Sequence, residues 1–164
     1  MDAPMIGRVL GKYKIIEFLG RGGMAEVYKA YHANLDRYVA LKLIKTTIAD
    51  DPEYLIRFER EAKSAAALRH PNIVQVYDFD IDPESGRPYI VMEFIGGGSL
   101  ADELARRAKN ETPLTPSDLV SIISQVAGAL AYAHQHGVIH RDVKLGNIMQ
   151  DESGRMILTD FGLA

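Results

Sequence analysis

The sequence predicts an α+β fold in two lobes, in which an antiparallel five-stranded sheet with one helix precedes a mainly helical part. Five short runs rich in β-branched and aromatic residues occupy the first part of the chain, and turn-forming residues separate them. Two segments with helical periodicity follow the glycine-rich stretch IGGGS, 95–99. We therefore expect 13–94 to form the first lobe, 95–98 a hinge and 99–164 the start of the second lobe, after a lead-in over 1–12.

The first three strands are predicted to form an antiparallel meander, because only short turns separate them. They are YKIIEFLG (13–20), AEVYKAYHA (25–33) and RYVALKLI (37–44). Two later runs, IVQVYDF (73–79) and YIVMEF (89–94), complete the sheet, and DIDPESGRP connects them as a turn.

One helix is expected between the third and fourth strands. Asp51 is a good N-cap, and Pro52 suits the first helical position. Apolar residues then recur at helical spacing at Leu55, Phe58, Ala62, Ala65 and Ala66. Pro71 disfavours helical geometry at the residue before it, so the helix should end ahead of HPN, 70–72.

Two helices and a hairpin are expected after the glycine-rich stretch. The first helix is LADELARRAKN, and the second runs from Pro116 to about His136, with Thr115 as N-cap and Gly137 at its end. NIMQ and RMILT should pair around the turn DESG. The apolar side chains of Leu119–Ala133 cover an arc of about 200°, whereas a surface helix needs little more than about 100°. We therefore expect an exposed apolar patch on this helix in the chain by itself.

The composition is that of an ordinary globular protein, with 47% hydrophobic and 25% charged residues. The formal net charge of −3 provides no basic field for nucleic acid or an anionic membrane. The absence of cysteine excludes disulfides and thiolate metal sites and fits a cytoplasmic location. No signal peptide is evident, and the most apolar long window carries Ser121, Ser124 and Gln125, so we expect no membrane contact from this segment. A segment outside it could still anchor a longer protein.

The turn GRGGMAEV, 20–27, lies between two predicted strands and could let backbone N–H groups approach phosphates. Strands on both sides argue against a dinucleotide-binding fold, in which such a turn leads into a helix. A plain flexible hairpin is an equally good interpretation of the turn alone. Lys42 in VALK shares a strand face with Ala40, where it could meet a phosphate, although alone it also fits an edge-strand lysine.

The helix carries two candidate carboxylate partners for a buried Lys42. Glu61 precedes Ala62 on the apolar stripe and should lie near its buried edge. Glu59 is two residues away, so it does not share a helix face with Glu61 and should face solvent.

The segment HRDVKLGN, 140–147, carries the strongest chemical signal. Asp142 could orient a hydroxyl and accept its proton, Lys144 could steady a phosphate, and the Asn147 amide oxygen could bind magnesium. A polar surface loop is the alternative, but it explains poorly the apolar runs on both sides. Asp160 in LTDFG adds another hard oxygen ligand, although a lone DFG is more often an ordinary turn.

Seven segments follow one another in an order that resembles the eukaryotic-type (Hanks-type) protein kinases, in particular their bacterial serine/threonine members. They are GRGGMAEV, VALK, FEREA, HPNIV, VMEF, HRDVKLGN and DFG. The resemblance implies a kinase domain over 13–164 with a bilobal kinase-like fold. It also implies that this domain is incomplete at its C-terminal end, because the sequence stops just after DFG. It also implies the transfer of the ATP γ-phosphoryl group to protein Ser/Thr hydroxyls, with ATP and Mg²⁺ as cofactors, and a possible kinase dimer.

The resemblance implies a role for each candidate residue on the nucleotide side. Gly20, Gly22 and Gly23 cover the phosphates, and Lys42 holds the α- and β-phosphates while it pairs with Glu61. The residues that surround the adenine are Leu19, Val27, Ala40 and Met149, with Met92 as gatekeeper and the backbone of Glu93 and Ile95 as the adenine-reading hinge.

For the transfer step, the resemblance implies that Asp142 is the catalytic base and that Lys144 steadies the γ-phosphate. A lysine two residues after the base is similar to the serine/threonine branch of the family. Asn147 and Asp160 bind Mg²⁺. Leu145 stands where the family usually has proline, which costs the loop some rigidity. The activation segment, the substrate-binding surface and the later helices of such a domain are not in this chain. A nucleotide-binding or partner-binding module without transfer activity is therefore the alternative, and a small-molecule phosphotransferase ranks below it.

Overall fold

A computed structural model describes residues 5–45 and 52–161, and the chain divides into two compact units. Unit 1 contains the described residues of Met1–Ala62 and Val76–Phe94. Unit 2 contains those of Lys63–Gln75 and Ile95–Ala164. Segment 63–75, which the sequence assigned to the first lobe, thus belongs to unit 2.

Unit 1 is built on an antiparallel sheet that has six strands in the described ranges. The strands are β1 (Val9–Leu10), β2 (Tyr13–Arg21), β3 (Ala25–His32), β4 (Arg37–Ile44), β5 (Val76–Ile81) and β6 (Pro88–Glu93). Their order across the sheet is β1-β2-β3-β4-β6-β5. The prediction of five strands was wrong by one, because Val9 and Leu10 of the expected lead-in pair with Lys14 and Tyr13. Leu10 is 1% exposed, so its burial against the sheet explains why this short pair forms.

The strand alternation predicted for VALK is confirmed. Val39, Leu41 and Leu43 are fully buried and belong to one hydrophobic cluster on one face of the sheet. Lys42 is half-buried on the other face, which it shares with Ala40. The sheet therefore has an apolar core on one side and presents Lys42 on the other.

The first helix, α1, spans Pro52–Ala66. Pro52 opens it as predicted, whereas the proposed cap Asp51 lies outside the described residues. Phe58 and Ala62 are 2% exposed, and the Phe58 ring packs on Phe79 of β5 at a centroid distance of 5.8 Å. The apolar stripe of α1 thus covers the sheet, as its periodicity indicated.

The fourth predicted strand begins later than the expected position 73. Ile73 forms a parallel bridge with Leu158, and the Val74 N–H donates to the Leu158 carbonyl at 3.0 Å. Leu158 in turn donates to the Asn72 carbonyl at 2.8 Å. These long-range bonds hold 72–74 in unit 2, so β5 can start only at Val76.

Two helices of unit 2 follow the prediction closely. Helix α2 spans Leu100–Lys109 and has a capping box between Ser99 and Asp102. Helix α3 spans Pro116–Gln135, and its cap is Thr115, which bonds Asp118 in both directions. After α3 the chain leaves the helix at Gly137, where φ is +73°.

Helix α3 exposes apolar side chains, which confirms the predicted patch. Leu119, Val120 and Ile123 are 45%, 65% and 64% exposed, while Ala129 and Ala133 on the same helix are fully buried. Exposed apolar residues on a helix raise the question whether it could span a membrane. No helix in the described ranges is both long and apolar enough to cross a membrane.

The predicted hairpin is present as β7 (Ile148–Gln150) and β8 (Met156–Leu158). It packs against the glycine-rich stretch, since the Gln150 N–H donates to the Gly98 carbonyl at 2.9 Å. A Cβ atom on Gly97 would lie 2.2 Å from the Gln150 carbonyl oxygen. Glycine at this position therefore permits backbone to meet backbone within unit 2.

Candidate functional site

The glycine-rich turn connects β2 and β3 in unit 1. The Gly22 N–H closes it by donating to the Ala25 carbonyl at 2.8 Å. Among the residues that the structure describes, none apart from the immediate chain neighbours has an atom within 4 Å of a Cβ position on Gly20 or Gly23, and the φ angles of these two glycines are not positive. The fold itself therefore does not require glycine at these two positions, and the open space beside them suits a ligand that approaches the backbone closely.

The strand register places the candidate adenine and phosphate residues of unit 1 on one sheet face. Val27 lies opposite Lys42, and Ala40 lies opposite Met92. Residues directly opposite in an antiparallel pair share a face, so these four side chains form one surface. Ala40 and Met92 are 9% and 6% exposed. Leu19 lies at a register shift between Phe18 and Gly20 and is largely exposed.

Glu61 lies on α1 in unit 1 and is half-buried, as is Glu59, so exposure does not separate the two carboxylates. The pKa of Tyr54 gives information on the position of Glu61. Burial raises the pKa of the Tyr54 hydroxyl, and the negative charge of Glu61 raises it further. Glu61 therefore lies within electrostatic range of the aromatic pair that Tyr54 forms with Phe58.

Asp142 of unit 2 is the centre of a compact polar cluster. Its Oδ2 atom accepts hydrogen bonds from Lys144 Nζ at 2.6 Å and from Asn147 Nδ2 at 3.0 Å. Asn147 Nδ2 also donates to the Asp142 carbonyl at 2.8 Å. The hydrogen bond from Lys144 holds the pKa of the Asp142 carboxyl below its ordinary value, so the group is an anion at neutral pH.

The buried imidazole of His140 fixes the backbone beside Asp142. Its Nδ1 accepts from the Asp142 N–H at 3.2 Å, so Nε2 carries the proton and donates to the Thr159 carbonyl at 2.7 Å. The ring is 1% exposed and packs edge-on against Phe161 at 4.6 Å. Burial lowers the pKa of His140, which keeps the neutral form that this bonding pattern requires.

A second link brings Asn147 next to the segment that carries Asp160. The Thr159 N–H donates to the Asn147 carbonyl at 2.8 Å, and the Thr159 hydroxyl donates to the same oxygen at 3.2 Å. Asp160 is half-buried and has φ +61°, which is uncommon for a residue with a Cβ. Arg141 beside Asp142 has φ +68°. Strained backbone on both sides of one cluster is typical of a functional site.

The remaining candidates fall at the junctions of elements. Glu93 is the last residue of β6 in unit 1 and is half-buried. In unit 2, Ile95 is 8% exposed, and Met149 lies on β7, where it forms a bridge with Ser99. Met149 is therefore held close to the glycine-rich stretch that Ile95 begins.

The candidate magnesium ligands are Asn147 and Asp160, an amide and one carboxylate. In the part of the chain that the structure describes, no three His, Cys, Asp or Glu side chains are grouped for a metal. Mg²⁺ commonly takes only one or two protein ligands and completes its shell with phosphate oxygens and water, so this donor set suits a nucleotide-bound ion.

The candidate residues thus gather into two groups, one in each unit. Gly20, Val27, Ala40, Lys42 and Met92 lie together along the sheet of unit 1.

The group of unit 2 is formed by the loop residues Asp142, Lys144 and Asn147, with Thr159 joining them to Asp160. The sequence did not identify His140 and Thr159 as supports, because their bond spans 19 positions. For His140, its position directly after an apolar run was the only signal in the sequence.

Known protein kinases resemble the chain over most of its length. A family model described as protein kinase domain matches residues 13–164. The chain is 43% identical to the serine/threonine-protein kinase PrkC of Bacillus subtilis, over 96% of this chain and 23% of that protein. It is also 43% identical to the serine/threonine-protein kinase PknB of Mycobacterium tuberculosis, over 93% of this chain and 24% of that protein. The chain therefore spans about a quarter of the length of these curated relatives.

A solved structure gives the same result for the fold. The PknI kinase domain of Mycobacterium tuberculosis matches with a TM-score of 0.85 at 36% identity. The match covers 99% of this chain and 62% of that domain.

Proposed function

The chain belongs to the protein kinase family, and we propose that the whole protein transfers the γ-phosphoryl group of ATP to serine and threonine hydroxyls of protein substrates. The observation that carries the proposal is the Asp142 carboxylate, held as an anion by Lys144 and Asn147 on one oxygen. Serine and threonine are proposed as acceptors because Lys144 follows the base by two positions and because similar proteins carry serine/threonine kinase names.

In unit 2, we propose that the other oxygen of Asp142, Oδ1, orients the substrate hydroxyl and accepts its proton. Lys144 donates to Oδ2 through one N–H, which leaves two further N–H donors for the oxygens of the γ-phosphate. Most of the rate enhancement would then come from positioning and charge stabilisation and less from proton transfer, since phosphoryl transfer needs little covalent help from the protein.

ATP with Mg²⁺ would supply the phosphoryl group and a leaving group whose charge the metal neutralises. Asn147 donates both of its side-chain hydrogen bonds through Nδ2, so the amide oxygen Oδ1 is the atom that would bind the metal. Asp160 would contribute a carboxylate oxygen from the adjacent segment. The pair fits a hard cation that keeps water and phosphate ligands.

In unit 1, the proposed role is to hold the nucleotide. Val27, Ala40 and Met92 would form an apolar wall for the adenine, and Lys42 on the same face would bind the α- and β-phosphates. The open space beside Gly20 and Gly23 supports a close approach of phosphate oxygens to the turn. Glu61 as the partner of Lys42 stays a prediction, as does a kinase dimer. A cytoplasmic location also remains a proposal, which the use of ATP favours.

The experiment that tests the function compares full-length wild-type protein with Asp142→Asn in a transfer assay that uses ATP, Mg²⁺ and a protein substrate. We expect transfer to fall by roughly 10²–10⁴-fold, as for loss of a general base, while the dissociation constant for ATP changes little. Glu152→Gln, an exposed carboxylate in the β7–β8 turn, is the matched control and should retain full activity.

Undiminished transfer by Asp142→Asn would refute the assignment of the base. Tight ATP binding without transfer by the wild-type protein would favour a nucleotide-binding module. Transfer to small molecules alone would favour a small-molecule phosphotransferase.

A further inference from the structure

Lys45 contacts three consecutive carbonyl groups of the glycine-rich turn. It directly follows β4, and its Nζ donates to the Gly22 carbonyl at 2.7 Å and to the Gly23 carbonyl at 2.9 Å. Its backbone N–H donates to the Met24 carbonyl at 3.0 Å. One residue therefore fixes the direction of three successive peptide groups in unit 1.

The direction of these carbonyls determines the direction of the next N–H groups. All peptide bonds in the described chain are trans, so the C=O and N–H of one peptide group point in opposite directions. When Lys45 Nζ draws the Gly22 and Gly23 carbonyls toward itself, the N–H groups of Gly23 and Met24 must point away from it. Neither N–H donates a hydrogen bond within the described ranges. Two adjacent donors with a common direction form a small anion-binding surface.

We propose that Lys45 is a positioning residue for phosphate binding. By holding the two carbonyls on its own side, it presents the Gly23 and Met24 N–H groups to the nucleotide phosphates and keeps two carbonyl dipoles away from them. The inference rests on the proposed binding of ATP, and it adds a residue that the motif pattern does not contain.

Glycine makes such a device necessary at this turn. Gly22 and Gly23 have more backbone freedom than other residues, and neither packs closely against other described residues. Without an external contact their peptide groups could rotate, and some orientations would direct a carbonyl oxygen at a phosphate. The two charge-assisted hydrogen bonds from Lys45 remove that freedom before the nucleotide arrives.

The base of the turn is held separately, so Lys45 can be changed without unfolding the sheet. Arg21 donates to the buried carboxylate of Glu26 at 2.6 Å across the β2–β3 pair. Glu26 also accepts from Arg87 at 3.0 Å, and Arg87 donates to the Ile44 carbonyl at 2.6 Å. These contacts do not involve the Lys45 side chain.

The test measures dissociation constants of ATP, ADP and adenosine for the full-length wild-type protein and three variants. Lys45→Met removes the donors but keeps the length of the side chain, and Lys45→Arg keeps a cationic donor. Lys14→Met is the matched control, because Lys14 is an exposed lysine on β2 of the same sheet. Thermal unfolding of each variant checks that the fold is intact.

We expect Lys45→Met to weaken ATP and ADP binding by roughly tenfold and adenosine binding by less than about twofold, because adenosine has no phosphate for the turn to bind. Lys45→Arg should restore most of the loss, and Lys14→Met should match the wild type. Wild-type affinity of Lys45→Met for ATP would overturn the inference, as would an equal loss for adenosine. Failure of the wild-type protein itself to bind ATP would instead refute the proposed function.

Discussion

Gly97 is the position where the structure makes the sharpest quantitative prediction. An alanine there would place its Cβ 2.2 Å from the Gln150 carbonyl oxygen, 2.9 Å from the Gln150 carbonyl carbon and 3.2 Å from the Asp151 carbonyl oxygen. All three atoms belong to backbone, so no side-chain rotation can relieve the contact. The glycine-rich stretch 95–99 and the β7–β8 hairpin would have to move apart, which would strain the hydrogen bond from the Gln150 N–H to the Gly98 carbonyl.

The expected cost follows from the size of this overlap. Inserting a methyl group into a tightly packed position typically costs about 1–3 kcal/mol, and a backbone obstacle puts Gly97→Ala at the upper end, about 3 kcal/mol. A change of 1 kcal/mol shifts the Tm of a domain of this size class by roughly 2–4 °C. We therefore expect the Tm of Gly97→Ala to fall by roughly 6–12 °C.

Gly128 provides the matched control, because the same substitution should have the opposite sign there. It lies exposed inside α3, and apart from the backbone of α3 itself, no atom of the described residues lies within 4 Å of its Cβ position. Gly128→Ala should stabilise the protein by about 0.5–1 kcal/mol, since alanine loses less backbone entropy in a helix. Differential scanning calorimetry of the full-length protein and both variants measures the shifts. A Tm of Gly97→Ala within about 1 °C of the wild type would refute the steric reasoning.

Three further changes have defined expected results. Glu26→Gln disrupts the buried pair with Arg87 and should lower the unfolding free energy by about 3 kcal/mol in denaturant titrations; an unchanged midpoint would contradict this. Burial alone would raise the pKa of Glu26, but the hydrogen bonds from Arg87 and Arg21 hold this pKa below 4.5. The stabilisation by Glu26 should therefore persist above pH 4.5 and disappear as the pH falls further. Burial lowers the pKa of His140 below 6.5, so acidification below pH 6.5 should destabilise the wild type more than His140→Gln, and parallel pH profiles would count against it. Thr115→Ala removes the α3 cap on Asp118 and should cost about 1 kcal/mol of unfolding free energy, whereas a loss below about 0.3 kcal/mol would make the cap unimportant.

Local signals in the sequence were sufficient to predict the helices of unit 2. Thr115 and Pro116 define the start of α3, and Gly137 ends it, because capping depends on residues within one turn of the helix end. The hairpin β7–β8 was predictable for the same reason, since the turn DESG lies between its two strands.

Long-range contacts account for the errors in the sheet. Val9 and Leu10 carry no strand signal of their own and pair only because β2 provides an edge. Ile73 and Val74 have the residue types of a strand, but in the structure they pair with Leu158, which is far away in sequence. Sequence patterns indicate the preference of a segment and do not identify its partner.

In the candidate site, too, the residues with local signals were predicted and those that depend on long-range contacts were not. Asp142, Lys144 and Asn147 were found because they lie within six positions and the chemistry of their side chains is explicit. Lys45 was not found, because a lysine after a strand is ordinary until its distance to two carbonyls is known. A supporting residue of this kind acts through backbone geometry, which no residue pattern encodes.

The most direct test of the central claim is the fate of labelled phosphate from ATP. Full-length protein would be incubated with a protein substrate, Mg²⁺ and ATP labelled either at the γ- or at the α-phosphate, and the label would be located by phosphoamino-acid analysis. We expect label from the γ-position on serine or threonine, and a loss of roughly 10²–10⁴-fold of that label when Asp142 is replaced by Asn. Label from the α-position, or label at the wild-type level on these residues in Asp142→Asn, would contradict the proposed phosphoryl transfer.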